Sequence, residues 1–180
     1  TAPVVYLATG SNFPDALAAA PAAARNGGPL LLVPGSPAQV SPDLVDRVRQ
    51  LNPGRVVIVG GSNVVSEAVV DVFARALPDG TVFDRLSGAD RFATANALVS
   101  DAFGAQVPEV FIATGLNFPD ALSAAAAAGG SGLPVLLVNG QANTVDPETM
   151  RLLTDTLRPD RVTIVGSAAA VSGGIRDQLA

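Results

Sequence analysis

Histidine, cysteine, lysine and tryptophan are all missing from this chain. Without histidine or cysteine there is no Ser-His-Asp triad, no thiolate nucleophile, no Cys or His zinc site and no disulfide. Without lysine a phosphate loop of the G-x-x-x-x-G-K-[ST] type cannot be built. The 11 basic residues are therefore all arginine, against 16 acids, and the net charge of −5 argues against a general nucleic-acid binder. Pro, Gly, Asn, Asp or Arg interrupts every apolar run before it reaches the ~18 residues of a membrane span, so no span is expected. The lack of cysteine leaves the compartment open, because a domain with a large core does not need disulfides. No signal peptide leads the chain, and Thr1-Ala2-Pro3 reads as the interior of a longer polypeptide.

What is present is a large apolar fraction. Hydrophobic residues make up 48% of the 180 and charged residues 15%. Such a chain is not intrinsically disordered, and its length allows burial of ~70% of the unfolded surface. Its organisation is a tandem duplication. Ala8-Thr9-Gly10-Ser11-Asn12-Phe13-Pro14-Asp15-Ala16-Leu17 returns 105 residues later as Ala113-Thr114-Gly115-Leu116-Asn117-Phe118-Pro119-Asp120-Ala121-Leu122, with one position changed. The offset holds through Pro29–Val33 against Pro134–Val138 and through Ser41-Pro42 against Asp146-Pro147. It then slips by one residue, so that Pro53–Gly60 meets Pro159–Gly166.

Within each copy, short β-branched runs alternate with helical patterns. Val4 to Ala8 reads as a buried strand, Phe13 to Arg25 as an Ala-rich helix closed by Asn26-Gly27-Gly28, and Leu30 to Val33 as the next strand. Ser41-Pro42-Asp43 opens a helix with a cap and a proline at its first position. Val56 to Val59 is a third strand, Ser66-Glu67 starts a helix to Leu77, Thr81 to Leu86 is a short fourth strand, and a helix follows over Asp90 to Phe103. Apolar strands alternating with helices predict an α/β fold of two tandem Rossmann- or flavodoxin-like units, each a parallel sheet covered by helices. The expected division is 1–83 and 84–180, joined near residues 78 to 86. Only the second unit is led by a Ser-Gly-x-Asp-Arg segment, Ser87-Gly88-Ala89-Asp90-Arg91.

These motifs carry a resemblance. Arg85-Leu86-Ser87-Gly88-Ala89-Asp90-Arg91-Phe92-Ala93-Thr94-Ala95, then Ala113-Thr114-Gly115 with Asn117-Phe118-Pro119-Asp120-Ala121-Leu122, then Leu133–Leu137 and Val162–Gly166, occur in the order and spacing of the type 2 cell wall binding repeat of Gram-positive surface proteins. The chain resembles that family over essentially its whole length. The resemblance implies a non-catalytic Rossmann-like module, usually in three tandem copies around a pseudo-threefold axis, that anchors secreted or surface-layer proteins to anionic cell wall polymers. It implies an extracellular, wall-associated location.

Seven residues stand out as polymer-binding or structural: Asn12, Asp15, Ser87, Asp90, Arg91, Asn117 and Asp120. Asp15 and Asp120 follow proline in the first turn of a helix, where a carboxylate complements free N–H groups. The same positions lie at the carboxyl ends of parallel strands, where open α/β sheets bind ligands. Ser87 or Asp90 is expected to cap the helix carrying Phe92, Ala95 and Leu98. Arg91 is expected to pair with Asp120, or else to offer its planar fork to a phosphate or carboxylate. Gly60-Gly61-Ser62 and Gly166-Ser167 read as tight strand-to-helix turns. With no Trp, and with the Phe residues in apolar stretches, no stacking platform for sugars is visible.

The leading functional expectation is a non-catalytic wall-anchoring module without metal or cofactor. Its partners would be an anionic wall polymer and an adjacent repeat or a second copy of the chain. A purely structural interaction repeat is the rival, and a Rossmann-like enzyme the distant third, because only Asp15 and Asp120 recur at strand ends.

Overall fold

The computed structural model describes residues 1–180. The first unit contains β1 (Val4–Thr9), α1 (Pro14–Arg25), β2 (Leu30–Val33), α2 (Pro42–Leu51), β3 (Arg55–Val59), α3 (Glu67–Ala74) and β4 (Val82–Leu86). After α4 (Arg91–Ala102) the second unit runs through β5 (Glu109–Thr114), α5 (Pro119–Ser131), β6 (Val135–Val138), α6 (Pro147–Arg151), β7 (Arg161–Val165) and α7 (Gly173–Leu179). All pairings are parallel. The first sheet has the order β2-β1-β3-β4 and the second β6-β5-β7, so the duplicated strands β1 and β5 are both central. Two tandem α/β units are thus present, as the alternation of patterns predicts.

Strand β1 shows why its residues are apolar throughout. Val4, Tyr6 and Ala8 point to one face and meet α1 and the second unit, whereas Val5 and Leu7 point to the other and meet Val48 of α2 and Val69 and Phe73 of α3. The first face belongs to a core of 29 buried residues drawn from both units, so the two sheets share one hydrophobic interior. Alanines make the junction possible. Ala18, Ala19, Ala22 and Ala23 of α1 and Ala121, Ala124, Ala125 and Ala128 of α5 are all buried, and their small side chains let the two helices pack closely.

Strand β4 runs across the division expected between residues 83 and 84: its whole length, Val82 to Leu86, pairs with β3 of the first sheet. The helix it feeds, α4, packs instead on β6 of the second sheet and on α1. The linker therefore stitches the units together. Helix α3 ends at Ala74 rather than Leu77, ahead of Pro78. The one-residue slip in the repeat also has a local cause. The helix from Pro42 to Leu51 has 10 residues, whereas its counterpart runs 5 residues as α6 and 6 more as a π-helical turn, Leu152–Leu157. A π turn takes up one inserted residue without breaking the helix. Both versions then end in a left-handed residue, Asn52 and Arg158.

Candidate functional site

A cleft of about 450 Å³ opens at the carboxyl ends of the first sheet's strands. In the order β2-β1-β3-β4, the adjacent strands β1 and β3 send their connections, α1 and α3, to opposite faces of the sheet, the kind of place where open parallel sheets hold ligands. Every wall is a strand exit. Thr9 ends β1 and Ser11 and Asn12 follow it, Gly35 follows β2, Gly61 and Asn63 follow β3, and Gly88, Asp90, Arg91 and Thr94 come from the segment after β4; Asp15 in the first turn of α1 lines it as well. Only two of the 14 lining residues are hydrophobic, so the cleft is built for hydrogen bonding.

Four of the seven residues marked in the sequence meet here: Asn12, Asp15, Asp90 and Arg91. Asn12 Oδ1 accepts the Phe13 N–H at 2.9 Å, which fixes the turn into α1. Asp90 caps α4, one carboxylate oxygen accepting the Phe92 and Ala93 N–H groups, both at 2.9 Å. Ser87 is exposed, neither capping that helix nor lining the cleft. Asn117, in the loop after β5, and Asp120, in the first turn of α5, do not line the cleft.

The expected Arg91–Asp120 ion pair is not formed. Arg91 Nη1 instead donates to the backbone carbonyl of Gly115 at 2.8 Å, tying the first unit's cleft to the turn after β5, and it faces Asp15 rather than Asp120. The chain's course explains this, because β4 delivers Arg91 to the first sheet's carboxyl edge.

Asp15 is pressed over Gly60, where an added Cβ would lie 2.6 Å from Asp15 Oδ2. Gly60 has φ +95°, so the tight exit from β3 demands glycine for conformation as well as space. Asp120 and Gly166, with φ +120°, repeat this contact, again at 2.6 Å. Burial raises the Asp15 carboxyl above its ordinary value, and the Arg91 guanidinium pulls it part of the way back. No group of three or more acids converges in a way that would hold a metal ion.

Sequence reasoning missed Thr9, Asn63 and Thr94 as parts of the lining. A signal existed for each, since each sits within a few residues of a strand exit or of the Ser-Gly-x-Asp-Arg segment. It also misplaced one aromatic. Phe118 is 55% exposed and meets Phe13 edge to face, ring centres 5.9 Å apart, so this pair lies on the surface at the junction of the two units.

A duplicated parallel α/β module with one polar cleft at a strand-exit edge describes a binding domain in form. The chain belongs to the cell wall binding domain 2 family, whose model matches residues 2–70 and 85–176. It is similar to the N-acetylmuramoyl-L-alanine amidase LytC of Bacillus subtilis (strain 168), 28% identical over 179 residues, which are 99% of this chain and 34% of that protein. It is similar also to the amidase enhancer of the same organism, 27% identical over 97% of this chain and 22% of that one. The chain thus spans about a third or less of these relatives. Among solved structures, Cwp6 from Clostridium difficile superposes with a TM-score of 0.86 at 24% identity, covering 98% of this chain and 27% of that one. Cwp8 from the same organism gives 0.77 at 21%, covering 94% and 28%, and both show the shared fold.

Proposed function

We propose that the chain is a non-catalytic module that holds a larger extracellular protein on the cell wall by binding an anionic wall polymer in the first unit's cleft. The observation that carries this reading is Arg91. Its guanidinium stands in a polar cleft with one N–H spent on the Gly115 carbonyl and no ion pair to a carboxylate, which leaves charged donors facing solvent. Asn12, Asn63 and the hydroxyls of Thr9 and Thr94 surround it with uncharged donors and acceptors. Nothing in the cleft supplies an activated nucleophile, and its carboxylates are a helix cap and the lone Asp15. Membership of the wall-binding family and likeness to a wall amidase and an amidase enhancer support this reading. Cosedimentation of the chain with intact walls and with polymer-stripped walls tests it. Retention on intact walls alone, reduced at least tenfold in Arg91→Ala with the fold preserved by circular dichroism, is the expected result. Equal retention on both wall preparations overturns it.

A second partner is favoured by a separate observation. Leu32 in β2 is 55% exposed, whereas its counterpart Leu137 in β6 is 1% exposed beneath α4. Likewise Ala18, Pro21 and Ala22 on α1 are covered at the junction, whereas their counterparts Ser123, Ala126 and Ala127 on α5 are exposed. Faces that one unit buries against its neighbour are thus left open in the other, as in repeat arrays whose units share a continuous core. The reading is that these faces dock an adjacent repeat. Concentration-dependent light scattering tests the same contact between two copies: self-association that Leu32→Asp weakens supports it, and a strict monomer at high concentration counts against it.

A further inference from the structure

Asp15 presents a second, unexplained half to the cleft. Its carboxylate is half-buried and packed over Gly60 with the Arg91 charge nearby, it takes part in none of the chain's side-chain hydrogen bonds, and its oxygens reach solvent in the cleft. A carboxylate taken part of the way out of water normally recovers hydrogen bonds from protein donors. Asp90 does so, accepting two backbone N–H groups. Asp15 does not, although it lines the same cleft. The charges facing that cleft are Asp15, Asp90 and Arg91, one more negative than positive. A site meant for bare phosphate would be weakened by this balance, since each carboxylate repels the ligand.

From these facts we infer that Asp15 is a specificity-determining residue that accepts hydrogen bonds from hydroxyl groups of the polymer, so that the cleft selects an anionic chain carrying free hydroxyls beside its charged groups. Arg91 meets the anionic group and Asp15 the neighbouring hydroxyl. A hydroxyl donates to a carboxylate in a short, charge-assisted bond, whereas an ionised phosphate oxygen has only lone pairs to offer. A half-buried carboxylate with no protein donor favours a ligand that brings a hydroxyl to it over one that cannot. The twin residue Asp120 sits over Gly166 in the same way but outside the cleft, and it serves as the internal control.

The inference rests on the cleft being the polymer site, and the experiment separates the two. Binding of the chain to poly(glycerol phosphate), which carries one hydroxyl per phosphate, is compared by calorimetry with binding to inorganic polyphosphate, which carries none. The expected result is at least tenfold tighter binding of the hydroxyl-bearing polymer. Asp15→Asn should erase that preference, weakening poly(glycerol phosphate) about tenfold while leaving polyphosphate unchanged or stronger, and Asp120→Asn should change neither. Equal affinity for the two polymers, or tighter binding of both by Asp15→Asn, overturns the inference by showing that Asp15 only repels anions. If poly(glycerol phosphate) fails to bind while retention on intact walls persists, the inference falls and the wider reading stands. If retention on intact walls is insensitive to Arg91→Ala, the cleft itself is the wrong site.

Discussion

The carboxyl edges of the two sheets start from nearly the same sequence and end differently. In the first unit the loop after β2 stays clear of the exit from β3, Gly35 has open space around it, and the cleft lies between them. In the second unit the corresponding loop is fastened down. The Gly140 carbonyl accepts the Ser172 N–H at 2.8 Å, Ser172 Oγ donates to the Ala142 carbonyl, and the Val145 N–H donates to Gln178 Oε1 at 2.8 Å. Gly140 packs so tightly against Ala170 and Thr114 that no side chain fits there. The Gly166 carbonyl, whose counterpart at Gly60 accepts from Arg85 of β4, is taken by Arg176 of the second unit's own α7 at 2.7 Å. Duplication preserved the scaffold in both copies, and loop chemistry decided which edge stays open.

The largest expected effect tests the difference in cover. Leu137→Ala should destabilise the chain by about 2–5 kcal/mol, because it empties a fully packed site under α4. The equivalent Leu32→Ala should stay within about 0.5 kcal/mol, since that side chain already faces water. Urea melts of both variants at low protein concentration measure the gap. Equal costs would mean that Leu32 is covered in solution, and the comparison would then describe an interface rather than an exposed strand.

Much of this was legible in the sequence, for reasons that particular residues make plain. A ten-residue motif such as Ala-Thr-Gly-x-Asn-Phe-Pro-Asp-Ala-Leu repeats visibly, and the runs Val4–Ala8 and Val56–Val59 lack the polar alternation of half-exposed strands, so the parallel sheets followed from them. Asp90 could be read as a cap because side-chain-to-backbone bonds at helix starts are local. Arg91 could not be placed, because its partner is a carbonyl, and every residue carries one. Ownership of β4 by the first sheet was equally hidden: strand pairing is set by the sheet that needs an edge covered, and the motif that follows the strand belongs by repeat to the second unit. The polar cleft was half legible. Its residues carry recognisable strand-exit chemistry, but only the fold brings four separate exits together.

A smaller effect tests the arginines at the amino edges. Arg55 and Arg161 are equivalent by repeat and open β3 and β7, yet Arg55 binds Asp84 at 2.7 Å and Asp101 of α4 through two bonds of 2.7 and 3.0 Å. It joins both units, and these carboxylates raise its already high pKa further. Arg161 is 71% exposed and holds only Glu109 at 2.6 Å. Arg55→Ala should therefore cost about 2 kcal/mol, as charged hydrogen bonds at a half-buried site do, and Arg161→Ala under about 1 kcal/mol. Adding salt should narrow the Arg161 difference more than the Arg55 one.

The smallest effect separates the units by acid. Glu109 of β5 has no acidic counterpart in β1, where Val4 stands, and the Thr163 hydroxyl followed by Arg161 holds its carboxyl below the ordinary range. Asp15 of the first unit is displaced the other way, raised by burial. For Glu109 the lowered folded pKa means that its ionised form adds stability above the unfolded value of about 4, and that this is lost as pH falls through the folded pKa. For Asp15 the raised folded pKa means that the folded chain holds its proton longer, so ionisation lowers stability as pH rises from about 4 through the folded pKa. Glu109→Gln should thus be less stable than the parent at pH 7, with the deficit closing only below about pH 4. Asp15→Asn should be slightly more stable at pH 7, with the gain already gone when the pH has fallen to about 4. Denaturant melts of the three chains between pH 3 and 7 check both windows. If the two differences vanished on the same side of pH 4, Asp15 would have to be hydrogen-bonded like Glu109, and the unfilled acceptor in the first unit's cleft would no longer distinguish it from the second.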